Sequence, residues 1–151
     1  MLPFELVRRR SVAFFLALVI LATAPTIARA RRVGPCGFPR KDAETVQHFS
    51  RRHVVCAIRR FGPVGGGRRR AICIAKRESG LIPTATSRHK KYLGLFQHWR
   101  RAWRDRYAKW TEASWELNTS ALSGRTNAIV TIRMVHDAGN WKGAGWPVRE
   151  C

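Results

Sequence analysis

Acidic side chains are scarce in this chain of 151 residues: nine Asp and Glu stand against 29 Lys and Arg, a formal net charge of +20. Any proton-transfer chemistry built on carboxylates therefore has few candidates, and each can be weighed by its position. The four cysteines, Cys36, Cys56, Cys73 and Cys151, include no Cys-x-x-Cys pair, which speaks against a zinc site. His48, His53, His89, His98 and His136 lack the spacing of metal ligands or of a partner to a Ser or Cys nucleophile, and read as structural or solvated. Internal repeats and glycine-rich phosphate loops are missing, as is any apolar run of the roughly 20 residues that a membrane span needs. No metal or cofactor is expected.

What is present begins with an address. Arg8-Arg9-Arg10 precedes an apolar run from Ser11 to Ala24, and Ala28-Arg29-Ala30 follows it. A basic start, a short apolar stretch and small residues at the cleavage position make a secretory signal, assigned to residues 1–30. The remainder, 31–151, is one domain by length. Removing the four Arg and one Glu of residues 1–30 leaves 25 basic and eight acidic side chains, a net +17. An even number of cysteines in an exported chain favours two disulfides. Cys56 and Cys73 lie near facing ends of two predicted helices, which favours pairing them and leaves Cys36 for Cys151. The main rival joins Cys73 to Cys151.

Helical periodicity organises the domain. Asp42 is a candidate N-cap for a helix carrying Val46, Phe49, His53, Ala57 and Phe61, which ends by Gly62-Pro63. Ala71, Ile74, Ala75 and Glu78 fall at i, i+3, i+4 and i+7 of a second helix, with Gly80 as its stop. The Arg68-Arg69-Arg70 run opens that helix against its dipole. Ser87 to Lys91 is a basic loop, and Trp99, Trp103, Tyr107 and Trp110 sit at helical spacing, more as core than as a sugar platform. Trp115 to Ser123 reads as a loop. Ser123 or Thr126 caps a last helix through Ile129, Ile132 and Val135, stopping at Gly139.

Glu78 stands out because it shares a stripe with apolar residues and lies in the last turn of its helix. The negative end of the macrodipole disfavours a carboxylate there, and partial burial acts in the same direction. A raised pKa is what a general acid needs near neutral pH.

Glu78-Ser79-Gly80, then Pro83 and Ala85, then Gly94-Leu95-Phe96-Gln97 resembles the Glu-Ser-Gly and Gly-Leu-Met-Gln signature of lytic transglycosylases, which share the goose-type lysozyme fold. Phe61-Gly62-Pro63 and the Trp-rich stretch from Trp141 to Pro147 are similar to small secreted lysozyme-like domains of actinobacteria. The resemblance spans Thr45 to Trp146. It implies a mainly α (α+β, lysozyme-like) fold: a compact helical domain with a substrate cleft and a short β element near 84–93. It also implies Glu78 as the catalytic residue, with Ser79, Tyr92, Gly94, Gln97 and Asn127 binding substrate. Ser79 would support Glu78 or a substrate group, or bond to its own helix backbone. Asn127 matches the Asn that opens the family's last helix, but Met134 stands where a Tyr is usual. Tyr92 is the candidate to supply a phenol instead.

A glycosidase ordinarily flanks the scissile bond with two carboxylates. Asp42, Glu44, Asp105, Glu112, Glu116, Asp137 and Glu150 are the remaining acids of the domain, and none has a motif position that marks it as a partner. The family implied here needs one Glu, which protonates the leaving oxygen and then deprotonates the sugar's own 6-hydroxyl, closing a 1,6-anhydro ring. Hydrolysis on the same scaffold is the nearer alternative. The expected protein is a secreted, wall-associated monomer that acts on peptidoglycan strands and is drawn to anionic cell-wall polymers. No specific nucleic acid is expected, and membrane contact is expected only through the signal. The same charge would also serve a non-catalytic cationic wall-binding or antimicrobial protein.

Overall fold

Thr45, not Asp42, starts the first helix. Its hydroxyl accepts from the His48 N–H at 3.2 Å, which satisfies one of the donors every helix start leaves open. The computed structural model describes residues 34–151, so the signal expected over 1–30 lies outside the described residues. Helix α1 (Val46–Phe61) buries Ser50, His53, Val54 and Ala57 and stops at Gly62, whose φ of 110° suits glycine. Helix α2 (Gly67–Ser79) buries Ala71, Ile74 and Ala75. It ends on Gly80 in the left-handed region, whose N–H reaches the carbonyls of Ala75 and Lys76.

The short β element begins at the end of the expected interval 84–93 and extends beyond it. Strand β1 (Tyr92–Leu93) pairs antiparallel with β2 (His98–Trp99), setting Tyr92 opposite Trp99 and Leu93 opposite His98. A further bridge joins Thr86 to Leu93. This corrects the aromatic stripe: Trp99 lies on a strand, and helix α3 (Trp103–Trp110) begins only after a 3-10 turn over Arg100–Ala102. The chain reverses between the strands through Gly94 at φ 79° and Gln97 at φ 50°, so the helical spacing there is coincidental. Within α3, the Trp103 indole N–H donates to the Thr119 carbonyl at 2.7 Å and the Tyr107 hydroxyl to Leu117 at 3.1 Å.

Helix α4 (Gly124–Asp137) is capped by Ser123. Every residue from Thr126 to Ile132 is buried, as is Val135. A helix buried all round is a central one, and α4 packs most extensively against α1, with α3 on another side. Beyond it, Trp141 and Trp146 close over Phe96 with ring centroids 5.9 and 6.2 Å from it. The described chain is thus mainly helical, with one small two-stranded sheet.

The disulfides join Cys36 to Cys56 and Cys73 to Cys151, so the pairing of Cys56 with Cys73 is overturned and the rival stands. Cys56 lies inside α1, not at its end, and its face turns toward Phe38 and Arg52 rather than α2. Cys73 faces the 148–151 segment. There the Arg70 guanidinium also donates to the Cys151 carbonyl at 3.2 Å, giving one of the three opening arginines a partner.

Candidate functional site

The last turn of α2 projects Glu78 at the protein surface, where its side chain keeps 22% of its exposure. Residues i and i+1 on a helix do not face each other, yet the long Arg77 side chain bends round to donate to Glu78 Oε1 at 2.9 Å. The same guanidinium donates to the carbonyls of Arg149, at 2.8 Å, and Pro147, at 2.7 Å. Arg77 thereby ties the acid to the 147–149 segment, a link that no sequence motif marks. Only the Cys73–Cys151 pairing would have signalled it.

Ser79 carries its hydroxyl within 3.0 Å of the Ala75 carbonyl and 2.8 Å of the Leu95 carbonyl. It joins the end of α2 to the hairpin turn. Gln97 donates its amide to the carbonyls of Gly94, at 2.8 Å, and Ala85, at 3.2 Å, which fixes the side chain despite the left-handed backbone beneath it.

Gly94 and Asn127 are not among the residues that line the cleft. Both are buried. A Cβ on Gly94 would come within 2.1 Å of the Ala121 carbonyl oxygen and 2.3 Å of the Asn127 amide nitrogen, so only glycine fits. Asn127 accepts from the Phe96 N–H at 2.9 Å and donates to the carbonyls of Ala121, at 2.8 Å, and Leu93, at 3.4 Å. It holds the hairpin from behind. One turn along α4, Thr131 does the same for His98.

The geometry assigns the His98 tautomer. Arg106 can only donate, so Nδ1, 3.0 Å from its guanidinium, accepts. Nε2–H then donates to the Thr131 hydroxyl at 2.8 Å, and that hydroxyl donates to the Asn127 carbonyl at 2.8 Å. Full burial, helped by the nearby Arg106 charge, pushes the His98 pKa down to about 3. The ring is a neutral structural element at ordinary pH.

These pieces define a cleft of about 310 Å³ lined by Glu78, Tyr92, Gln97, Gly145, Trp146 and Pro147. Tyr92 and Gln97 form one wall, from the hairpin. Gly145 to Pro147 form the other, and the Trp146 indole N–H donates to the Phe96 carbonyl at 2.8 Å where the walls meet. Of the expected site residues, Glu78, Tyr92 and Gln97 come together here, while Ser79 is bonded to the Ala75 and Leu95 carbonyls and does not line the cleft. Met134, on α4, is partly buried against the core and is not among the lining residues.

Glu78 is the sole acid lining the cleft. Glu150 lines a neighbouring hollow with Arg77, Lys142 and Pro147. Glu44 is buried before α1, where burial pushes its pKa up but the Lys41 N–H, Arg52 and His48 hold it below its ordinary value. Asp42, Asp105, Glu112, Glu116 and Asp137 are exposed on other parts of the domain.

No protein-family model, curated protein or solved structure matches this chain. The two disulfides suit an oxidising compartment.

Proposed function

We propose that the protein is a secreted peptidoglycan glycosidase of the lytic transglycosylase type on a lysozyme-like fold, with Glu78 as both acid and base. The observation that supports this most is the lone carboxylate of Glu78 in a cleft whose other lining side chains are an exposed tyrosine, an amide, a tryptophan and a proline. The exposed Tyr92 ring offers an apolar face to a sugar, while Trp146 is packed behind it and sets the shape of the wall. In the proposed reaction, Glu78 gives its proton to the bridging oxygen as the bond from the muramic acid C1 breaks. The carboxylate then takes the proton of that sugar's 6-hydroxyl, whose oxygen attacks C1 and closes the 1,6-anhydro ring. Glu78 ends protonated, ready for another turn, and no water is consumed. Arg77 meets Glu78 only at Oε1, so Oε2 is the oxygen that carries the proton toward the glycosidic oxygen.

Replacing Glu78 tests the proposal. Glu78→Gln keeps size and most hydrogen bonding but removes the transferable proton, so turnover of purified peptidoglycan should fall by about 10²- to 10⁴-fold with melting unchanged. Mass spectrometry of wild-type products should find 1,6-anhydromuramic ends. Reducing ends would keep Glu78 as the acid but make the enzyme a lysozyme. Wild-type turnover by Glu78→Gln would leave Glu78 a structural role.

The Arg77–Glu78 pair also favours a second reading, a non-catalytic cationic protein that binds peptidoglycan or kills bacteria with the same cleft. Tight wall binding without turnover of any glycan would select it.

A further inference from the structure

Tyr92 borders two depressions. On one side is the Glu78 cleft, and on the other a hollow of about 510 Å³. The second is lined by His89, Lys90, Lys91, Arg100 and Arg101, with Tyr92 and Trp99 between them and no acid. Tyr92 and Trp99 are directly opposite in the β1–β2 ladder, so their side chains share a face. They are 46% and 45% exposed, the two most exposed large apolar side chains of the described domain. Burying such rings against solvent is favourable, yet here they stand open among cations. The strand pairing holds the arrangement, with the Arg100 N–H donating to the Lys91 carbonyl at 2.8 Å beside the paired rings.

We propose that this hollow binds a phosphate-bearing wall glycan, a sugar strand carrying phosphodiester groups, as a continuation of the Glu78 cleft. The inference rests on the glycosidase reading above, because the shared Tyr92 edge is what joins the hollow to the proposed reaction site. Arg100 and Arg101 match phosphate oxygens through their planar forks, while Lys90 and Lys91 act as point charges. Tyr92 and Trp99 supply the flat apolar faces for intervening sugar rings. Nucleic acid also uses cations with aromatic faces, but continuity with a single-carboxylate cleft and two disulfides favours the extracellular glycan.

Binding of the full-length mature protein carrying Glu78→Gln, which slows the proposed turnover, tests the proposal by sedimentation with bacterial sacculi. One batch retains its phosphodiester-linked glycerol phosphate chains, and the other has been stripped of them with hydrofluoric acid. The parent should bind intact sacculi about tenfold or more tightly than stripped ones, given four exposed charge contacts of modest strength each. Adding Lys90→Gln, Lys91→Gln, Arg100→Gln and Arg101→Gln should abolish the preference. Removing four exposed charges elsewhere, Arg51, Arg59, Arg60 and Arg68, should preserve it. Trp99→Ala should weaken binding to both batches alike by about fivefold or more. Equal parent binding to both batches, an equal loss in the control variant, or tighter binding to a 20-nucleotide single-stranded DNA would each overturn the proposal. A wild type that cuts no glycan but keeps the preference would reject the glycosidase reading and leave the hollow's ligand standing.

Discussion

On one side of the Glu78 cleft, the β1–β2 hairpin is pinned to α4 by neutral hydrogen bonds shut away from water. On the other, the 145–151 segment is held by the Trp146 indole, three donations from the Arg70 and Arg77 guanidiniums, and a disulfide. The hairpin's holding groups, Asn127, Thr131 and His98, are each fully buried, so losing any one strands its partners without solvent to replace it. The facing segment is exposed along Pro147 to Glu150. Its carbonyls can be rehydrated when a bond is lost, but its covalent link cannot be replaced. The same cleft thus has one wall held throughout by buried hydrogen bonds and one that is buried only at Trp146 and tethered beyond it.

The largest effect should come from cutting the tether. Cys73 and Cys151 are 78 residues apart, and chain entropy gives such a loop about 4 to 5 kcal/mol. Cys73→Ser with Cys151→Ser should therefore cost more in denaturant melts than Cys36→Ser with Cys56→Ser, whose separation of 20 is worth about 3 kcal/mol. It should also lower the proposed glycan turnover by loosening one wall. Equal losses, or full activity without the tether, would break the contrast.

Asn127→Ala comes next, at about 2 to 4 kcal/mol, because the Phe96 N–H and the carbonyls of Ala121 and Leu93 lose a buried partner together. A cost below about 1 kcal/mol, the ordinary worth of one solvated hydrogen bond, would mean that the hairpin does not depend on this clamp. A third probe is acid. Burial pushes His98 to about 3, and burial with the charges of Arg125 and Arg52 pushes His53 to about 4. Below a normal pKa of about 6.5 the unfolded chain takes up these protons and the folded one does not. Stability should thus be full above about pH 6.5 and fall on acidification, by up to about 1.4 kcal/mol per pH unit for each ring. Urea midpoints at pH 7, 6 and 5 measure this. A flat profile would show that the hairpin's buried imidazole does not titrate as its surroundings dictate.

The same division marks what the sequence disclosed. The stripes of α1, α2 and α4 were legible from apolar spacing, and Gly62 and Gly80 ended their helices as their positions implied. Glu78, Tyr92 and Gln97 could be picked out from two blocks that the fold brings into one cleft. Trp99 was misread because a period of four also fits a strand leading into a turn and then a helix. Asn127 was visible as a residue but not as a buried clamp, since whether an amide faces substrate or backbone depends on how far α4 sinks into the core. The cysteine pairing turned on the rotation of α1, which the spacing of its cysteine leaves open. The cleft wall from Gly145 to Pro147 and the part played by Arg77 followed from that pairing, so they were hidden with it.

The long tether also sets an order of events. Thr86 to Leu93 and β1 to β2 close over a few residues, but Cys73 must find Cys151 across 78. Loops of that length close late, because their ordering entropy is lost before any contact offsets it. Trp146 roots the second wall in the core, and the stretch beyond it gains its covalent hold on α2 only once the thiols of Cys73 and Cys151 have been oxidised.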